Sequence, residues 1–220
     1  MTKQNKPIKG LRRDVLVLLC APVQEDDLLT NYTSNLLQTL PPLKQTTIFK
    51  KFSEPLTYES LLTELSIKGE DDVAVVFWGH GNESSLLGPP AATDPQDKTC
   101  FYDATSIDSG PKYMLAMCCS AAIGLARAFD GRDDRAFIGF DRPIPFVLAG
   151  GVYAEWWTKI VHGCADAMLQ FKNVDDLRAA VQQIYKLALS VFPTDSKREH
   201  GLLMNGYLLK QLESIDFVRT

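Results

Sequence analysis

Three stretches of this chain are apolar at every position rather than at every other one: Val15–Cys20, Val73–Trp78 and Tyr113–Cys118. A strand with one face in water alternates, so an unbroken run of this length is a strand buried on both faces, and sheets of that kind are mostly parallel with crossover helices. The segments between the runs supply the helices. Asp26–Leu40 carries Leu28, Leu29, Tyr32, Leu36, Leu37 and Leu40 at helical spacing before the Pro41-Pro42 stop. Thr46–Phe52 reads as a strand, Thr57–Ile67 as a helix closed by Gly69, and Asp72–Trp78 as the next strand, which gives βαβαβ. Lys112–Cys118 and Ala136–Phe140 are two further strands, with a helix over Ala121–Phe129 between them. Tyr153–Phe171 and Asp175–Phe192 are amphipathic helices, and Glu199–Phe217 reads as a short helix or a hairpin. The expected fold class is α/β, a mostly parallel central sheet with helices on both faces. Residues 1–13 are expected to be a flexible lead and residues 14–220 one domain.

The stretch 82–111 breaks this pattern. It is rich in Gly and Pro, has no convincing period, and holds Glu83, Asp94, Asp97, Asp103 and Asp108 against the single base Lys98. It is expected to be a long active-site loop, since structureless segments of such length inside a domain are usually functional.

Composition excludes several classes of function. A net charge of -4 over 220 residues and an isoelectric point near 5.4 give no bulk attraction to phosphate backbones, so nucleic acid is not an expected partner. No apolar run approaches the roughly 20 residues that span a bilayer, and the first residues lack a signal-peptide apolar core, so no membrane partner and a cytoplasmic setting are expected. Five cysteines, two of them adjacent, are not a secreted disulfide framework. No zinc spacing, nucleophile elbow, phosphate loop or dinucleotide fingerprint occurs, and neither a metal nor a cofactor is expected.

In parallel sheets, sites form outside the carboxyl ends of the strands. Two groups sit there: Gly79-His80-Gly81 after one buried strand and Cys118-Cys119-Ser120 after the next. If those strands are neighbours, an imidazole meets a thiol. A free thiol is only a few per cent thiolate at neutral pH and needs a base or cation beside it to attack a carbonyl. His80 is the expected base, and the acid that protonates the leaving amine. The amides of Gly81 and Cys118 are the expected oxyanion donors, the latter because Cys118 is expected to open a helix whose first N–H groups are unpaired and favour a thiolate.

The segments Val75–Gly81 and Tyr113–Ala121 resemble the caspase-like (clan CD) cysteine peptidases, which include caspases, metacaspases, separases, gingipains and the bacterial CHAT proteases. The resemblance covers about Asp14–Asp141 and implies a caspase-like three-layer sandwich acting as a cysteine endopeptidase on a protein substrate, with His80 and Cys118 catalytic. Cys119 is the alternative nucleophile, one residue along in register. The chain departs from the family at the pocket for the residue preceding the cut. Ala116 stands two residues before Cys118, where caspases have Gln and metacaspases Asp, and Cys20-Ala21-Pro22 stands where caspases place an Arg. Asp141 is then a candidate acid for a basic substrate residue, and Ile144, Phe146 and Leu148 are candidates for an apolar pocket. The resemblance to prokaryotic members implies antiviral defence or cell death, with a gasdermin-like substrate. Such a setting requires latency, hence a regulatory or sensor protein as a partner. The alternative is a catalytically silent caspase-like scaffold or assembly subunit.

Overall fold

In the computed structural model, the described residues are 16–20, 49–52, 58–68, 73–91, 94–103, 105, 110–129, 135–141, 152–170, 174–191 and 215–218. In chain order they form β1 (Leu16–Cys20), β2 (Phe49–Phe52), α1 (Tyr58–Lys68), β3 (Val73–Trp78), β4 (Ser85–Ala91), β5 (Asp94–Asp103), β6 (Tyr113–Met117), a 3-10 turn (Ala126–Phe129), β7 (Ala136–Phe140), α2 (Val152–Gln170), α3 (Val174–Val191) and β8 (Ile215–Val218). The main sheet runs β2-β1-β3-β6-β7-β8. The first five of these strands pair in parallel and β8 closes the β7 edge antiparallel. This is an α/β architecture with a parallel sheet, as the unbroken apolar runs require. The expected helix over Asp26–Leu40 lies outside the described residues, as does most of Glu199–Phe217.

The central strands are buried on both sides. Val75 and Phe77 of β3 pair with Met114 and Ala116 of β6, and all four belong to one core cluster with Leu61 of α1, Leu86 of β4, Tyr102 of β5 and Phe137 of β7. The intervening residues Ala74, Val76 and Trp78, with Leu115 and Met117, are equally buried. Phe140, two residues on from Ile138 along β7, meets Tyr185 of α3 edge-on with ring centroids 6.4 Å apart. Helix α2 buries Ile160, Cys164, Ala165 and Met168 and helix α3 buries Leu177, Val181, Tyr185 and Ala188, spacings that put each set on one helical face. Gly163 permits the close approach, because a Cβ there would lie 3.3 Å from the Ile184 side chain. No helix among the described residues is long and apolar enough to cross a membrane.

Two expectations are corrected. Much of 82–111 is not a loop: Ser85–Ala91 and Asp94–Asp103 pair antiparallel as a hairpin, with irregular register at Leu86, Leu87 and Pro90. The prolines and the bulged register conceal the period-two signal from which a strand is read. Nor does an α-helix follow β6. Residues 121–125 are turns and only Ala126–Phe129 is helical, as a 3-10 turn. Helix propensity in Ala121–Phe129 yields to tertiary contacts described below.

Candidate active site

Strands β3 and β6 are hydrogen-bonded neighbours, with Trp78 opposite Met117. Beyond the paired ends the Gly79 N–H still donates to the Met117 carbonyl, at 3.4 Å. The two groups singled out from the sequence therefore leave adjacent parallel strands at one carboxyl edge, His80 two residues past Trp78 and Cys119 two past Met117. Both are partly exposed.

Cys118 has a different environment from the one anticipated for a nucleophile. It continues the β6 alternation from Met114 and Ala116 into the core cluster and is 2% exposed. Its thiol lies against Gly81, where a Cβ would come 2.5 Å from Sγ and 3.1 Å from the cysteine Cβ. Gly81 is thus fixed by close approach. Burial, and secondarily the neighbouring Cys119, pushes the Cys118 thiol well above its ordinary range. The helix expected to favour a thiolate at Cys118 is replaced by turns. Ser120, next but one, holds a left-handed φ of 57°, a conformation that costs a non-glycine residue roughly 1–2 kcal/mol and turns the chain out of the sheet. Cys118 and Cys164 are free thiols.

After His80 the chain forms a tight turn. Gly81 and Leu86 are bridged antiparallel by Leu87 N–H to His80 O and Asn82 N–H to Ser85 O, both 3.0 Å. Gly81 and Leu86 are thus a non-hydrogen-bonded pair, in which the Gly81 N–H points away from the hairpin, so that expected oxyanion donor is not consumed by the pairing. The Asn82 Oδ1 accepts from the backbone and hydroxyl of Ser84 (2.9 and 3.1 Å) and of Ser85 (2.8 and 3.0 Å). The turn is fastened to the segment after the cysteines: Leu125 N–H donates to Glu83 O at 2.7 Å. Beside that bond Gly124 sits so close that a Cβ would lie 2.4 Å from the same carbonyl oxygen. On its other side the segment is tied to β7, through Ala122 N–H to Phe140 O at 3.1 Å.

Three of the remaining sequence candidates, Ala116, Asp141 and Cys20, lie on or just past strands of the same sheet. Ala116 is fully buried in β6 and presents no side-chain surface to a ligand. Asp141 follows β7 at the same carboxyl edge and is partly exposed. Cys20 ends β1 opposite Phe77, and its side chain lies outside what is described, as do Ile144, Phe146 and Leu148. Among the described residues no His, Cys, Asp and Glu cluster could hold a metal ion. Sequence reasoning did not single out Asn82 or Gly124. Asn followed by Ser84 and Ser85 is a side-chain-capped turn signal, and a glycine inside an alanine-rich helical pattern is a warning against the helix.

The buried thiols make stability depend on alkaline pH. Burial pushes the Cys164 thiol from 9.0 up to about 12, and Cys118 moves in the same direction. Below about pH 9 both the folded and unfolded chains keep these thiols protonated. Between there and pH 12 only the unfolded chain ionises at Cys164, so stability falls as pH rises, by roughly 1 kcal/mol per pH unit for each thiol. Urea unfolding at a series of pH values should show this slope, and Cys164→Ala should flatten it by about one thiol's share. An unchanged slope in that variant would show that Cys164 ionises equally in both states.

Compared with models of protein families, with curated proteins and with solved structures, the chain finds no match.

Proposed function

We propose that this chain is a cysteine peptidase of the caspase-like type, a three-layer α/β sandwich in which His80 and Cys119 form the reacting imidazole–thiol pair. One observation carries the reading: His80 and Cys119 stand at matching positions beyond adjacent parallel strands, both partly exposed, while Cys118 is sealed in the core. Successive strand residues point to opposite faces. With Cys118 against Gly81 on the hairpin side, we read the pleat as running on past each strand end, which sets Cys119 on the opposite side, with His80. A nucleophile needs access and a nearby base, and of the two cysteines Cys119 has the access.

In the reaction, His80 takes the Cys119 proton and the thiolate attacks the scissile carbonyl. The imidazolium then protonates the amine as the C–N bond breaks, leaving a thioester that water, activated by the same imidazole, hydrolyses. The Gly81 N–H is positioned to donate to the tetrahedral oxygen, an interaction typically worth about 2.7–4 kcal/mol of barrier. Asp141 at the neighbouring strand end is the candidate acid for recognising a basic substrate residue.

Iodoacetamide labelling at pH 6, with the modified cysteine located by mass spectrometry, tests the pairing. Cys119 should react roughly tenfold or more faster than a free thiol at that pH, and His80→Ala should bring it to the free-thiol rate. Equal rates in the two proteins would remove the pair and favour the silent scaffold.

A further inference from the structure

The turn after His80 and the turn after Cys119 belong to different strands, and parallel pairing alone does not fix how far apart they stand. Strand pairing ends at Trp78 and Met117, and His80 and Cys119 both lie past that point. Two contacts join the turns directly. The Leu125 N–H reaches the Glu83 carbonyl at 2.7 Å, and Gly124 packs its bare Cα beside that oxygen. The acceptor is held in turn by Asn82, whose side-chain oxygen gathers the amides and hydroxyls of Ser84 and Ser85 and so defines the bend that presents Glu83 O. A backbone group on the imidazole side is thereby tied to a backbone group on the thiol side by one short bond with no slack.

We propose that Asn82 and Gly124 are positioning residues that set the separation of His80 and Cys119 by clamping these two turns together. The proposal rests on the imidazole–thiol reading above. Each acts through the backbone. Gly124→Ala places a methyl group where the Glu83 oxygen stands, only 2.4 Å away, and since that neighbour is backbone the turns must part. Asn82→Ala leaves the bend without its acceptor, whereas Asn82→Asp keeps an oxygen for the same four donors.

The test is the pH profile of Cys119 alkylation by iodoacetamide in the full chain, followed by mass spectrometry, for wild type, His80→Ala, Gly124→Ala, Asn82→Ala and Asn82→Asp. A loosened clamp moves the profile toward alkaline pH. At pH 6 we expect Gly124→Ala and Asn82→Ala to fall roughly tenfold, near the His80→Ala rate, and Asn82→Asp to stay within about threefold of wild type. Protection of Cys118 in the same digests reports that the core remains folded, and the two Asn82 variants, at an exposed turn, keep the test valid if Gly124→Ala does not fold. Wild-type profiles in Gly124→Ala and Asn82→Ala, alongside a slow His80→Ala, would overturn the clamp while sparing the pair. A wild type no faster than His80→Ala would overturn the pair, and the clamp with it.

Discussion

Replacing Cys119 by alanine should abolish cleavage of a proteome-derived peptide library, a loss on the order of 10⁴-fold or more, as for other covalent nucleophiles. Cys118→Ala should retain cleavage and lose only stability, about 1 kcal/mol for trimming a small buried side chain. The contrast is large because the two thiols differ in kind: one is 2% exposed within an apolar cluster, the other partly open beyond the strand end. Mass spectrometry of the products gives both the rate and the preferred residue before the cut. If Cys118→Ala is silent and Cys119→Ala is active, the assignment is reversed, and the core must open for the enzyme to work.

The second large effect concerns Gly81. An alanine there puts a methyl group 2.5 Å from the Cys118 Sγ and 3.3 Å from the Ser85 carbonyl, and overpacking of this sort costs about 1–3 kcal/mol. Most of the overlap is with one sulfur atom. Combining Gly81→Ala with Cys118→Ala removes that atom, leaving a Cβ contact of 3.1 Å that a small shift relieves. The double variant should therefore be more stable than the sum of the single effects by at least about 1 kcal/mol. Urea unfolding of the four proteins measures the coupling, and strict additivity would place the strain in the Ser85 backbone instead.

The strands of the parallel sheet were legible because they carry their own signal. Val73–Trp78 and Ala136–Phe140 are apolar on both faces and need no partner to be recognised, and the observed bounds match those expected to within one residue. The amphipathic helices α2 and α3 likewise fall within a residue of expectation at each end. Where a segment takes its shape from another part of the chain, the reading failed. Pro89, Pro90 and Pro95 disguise a hairpin whose Leu86 and Tyr102 are buried against Leu61. Ala121–Phe129 has helical composition, yet Leu125 donates to the turn carbonyl of Glu83 and Ala122 to the β7-end carbonyl of Phe140 rather than along a helix. The candidate site was legible to the level of its strand ends, His80 after one strand and two adjacent cysteines after its neighbour. Choosing between the cysteines needed the pleat, because only the pairing of β6 with β3 and the approach of Gly81 reveal which sulfur turns inward.

That pleat has a consequence for how the chemistry is specified. Sliding β6 by one position against its neighbours would carry every side chain to the other face of the sheet, and at the strand end it would swap the positions of two identical side chains. What separates the buried sulfur from the partly exposed one here is therefore arithmetic parity, not composition. β6 is held by pairing on both flanks, from Ala74 opposite Tyr113 through Leu115 opposite Ile138. The sheet that builds the core thus also decides which atom meets the solvent.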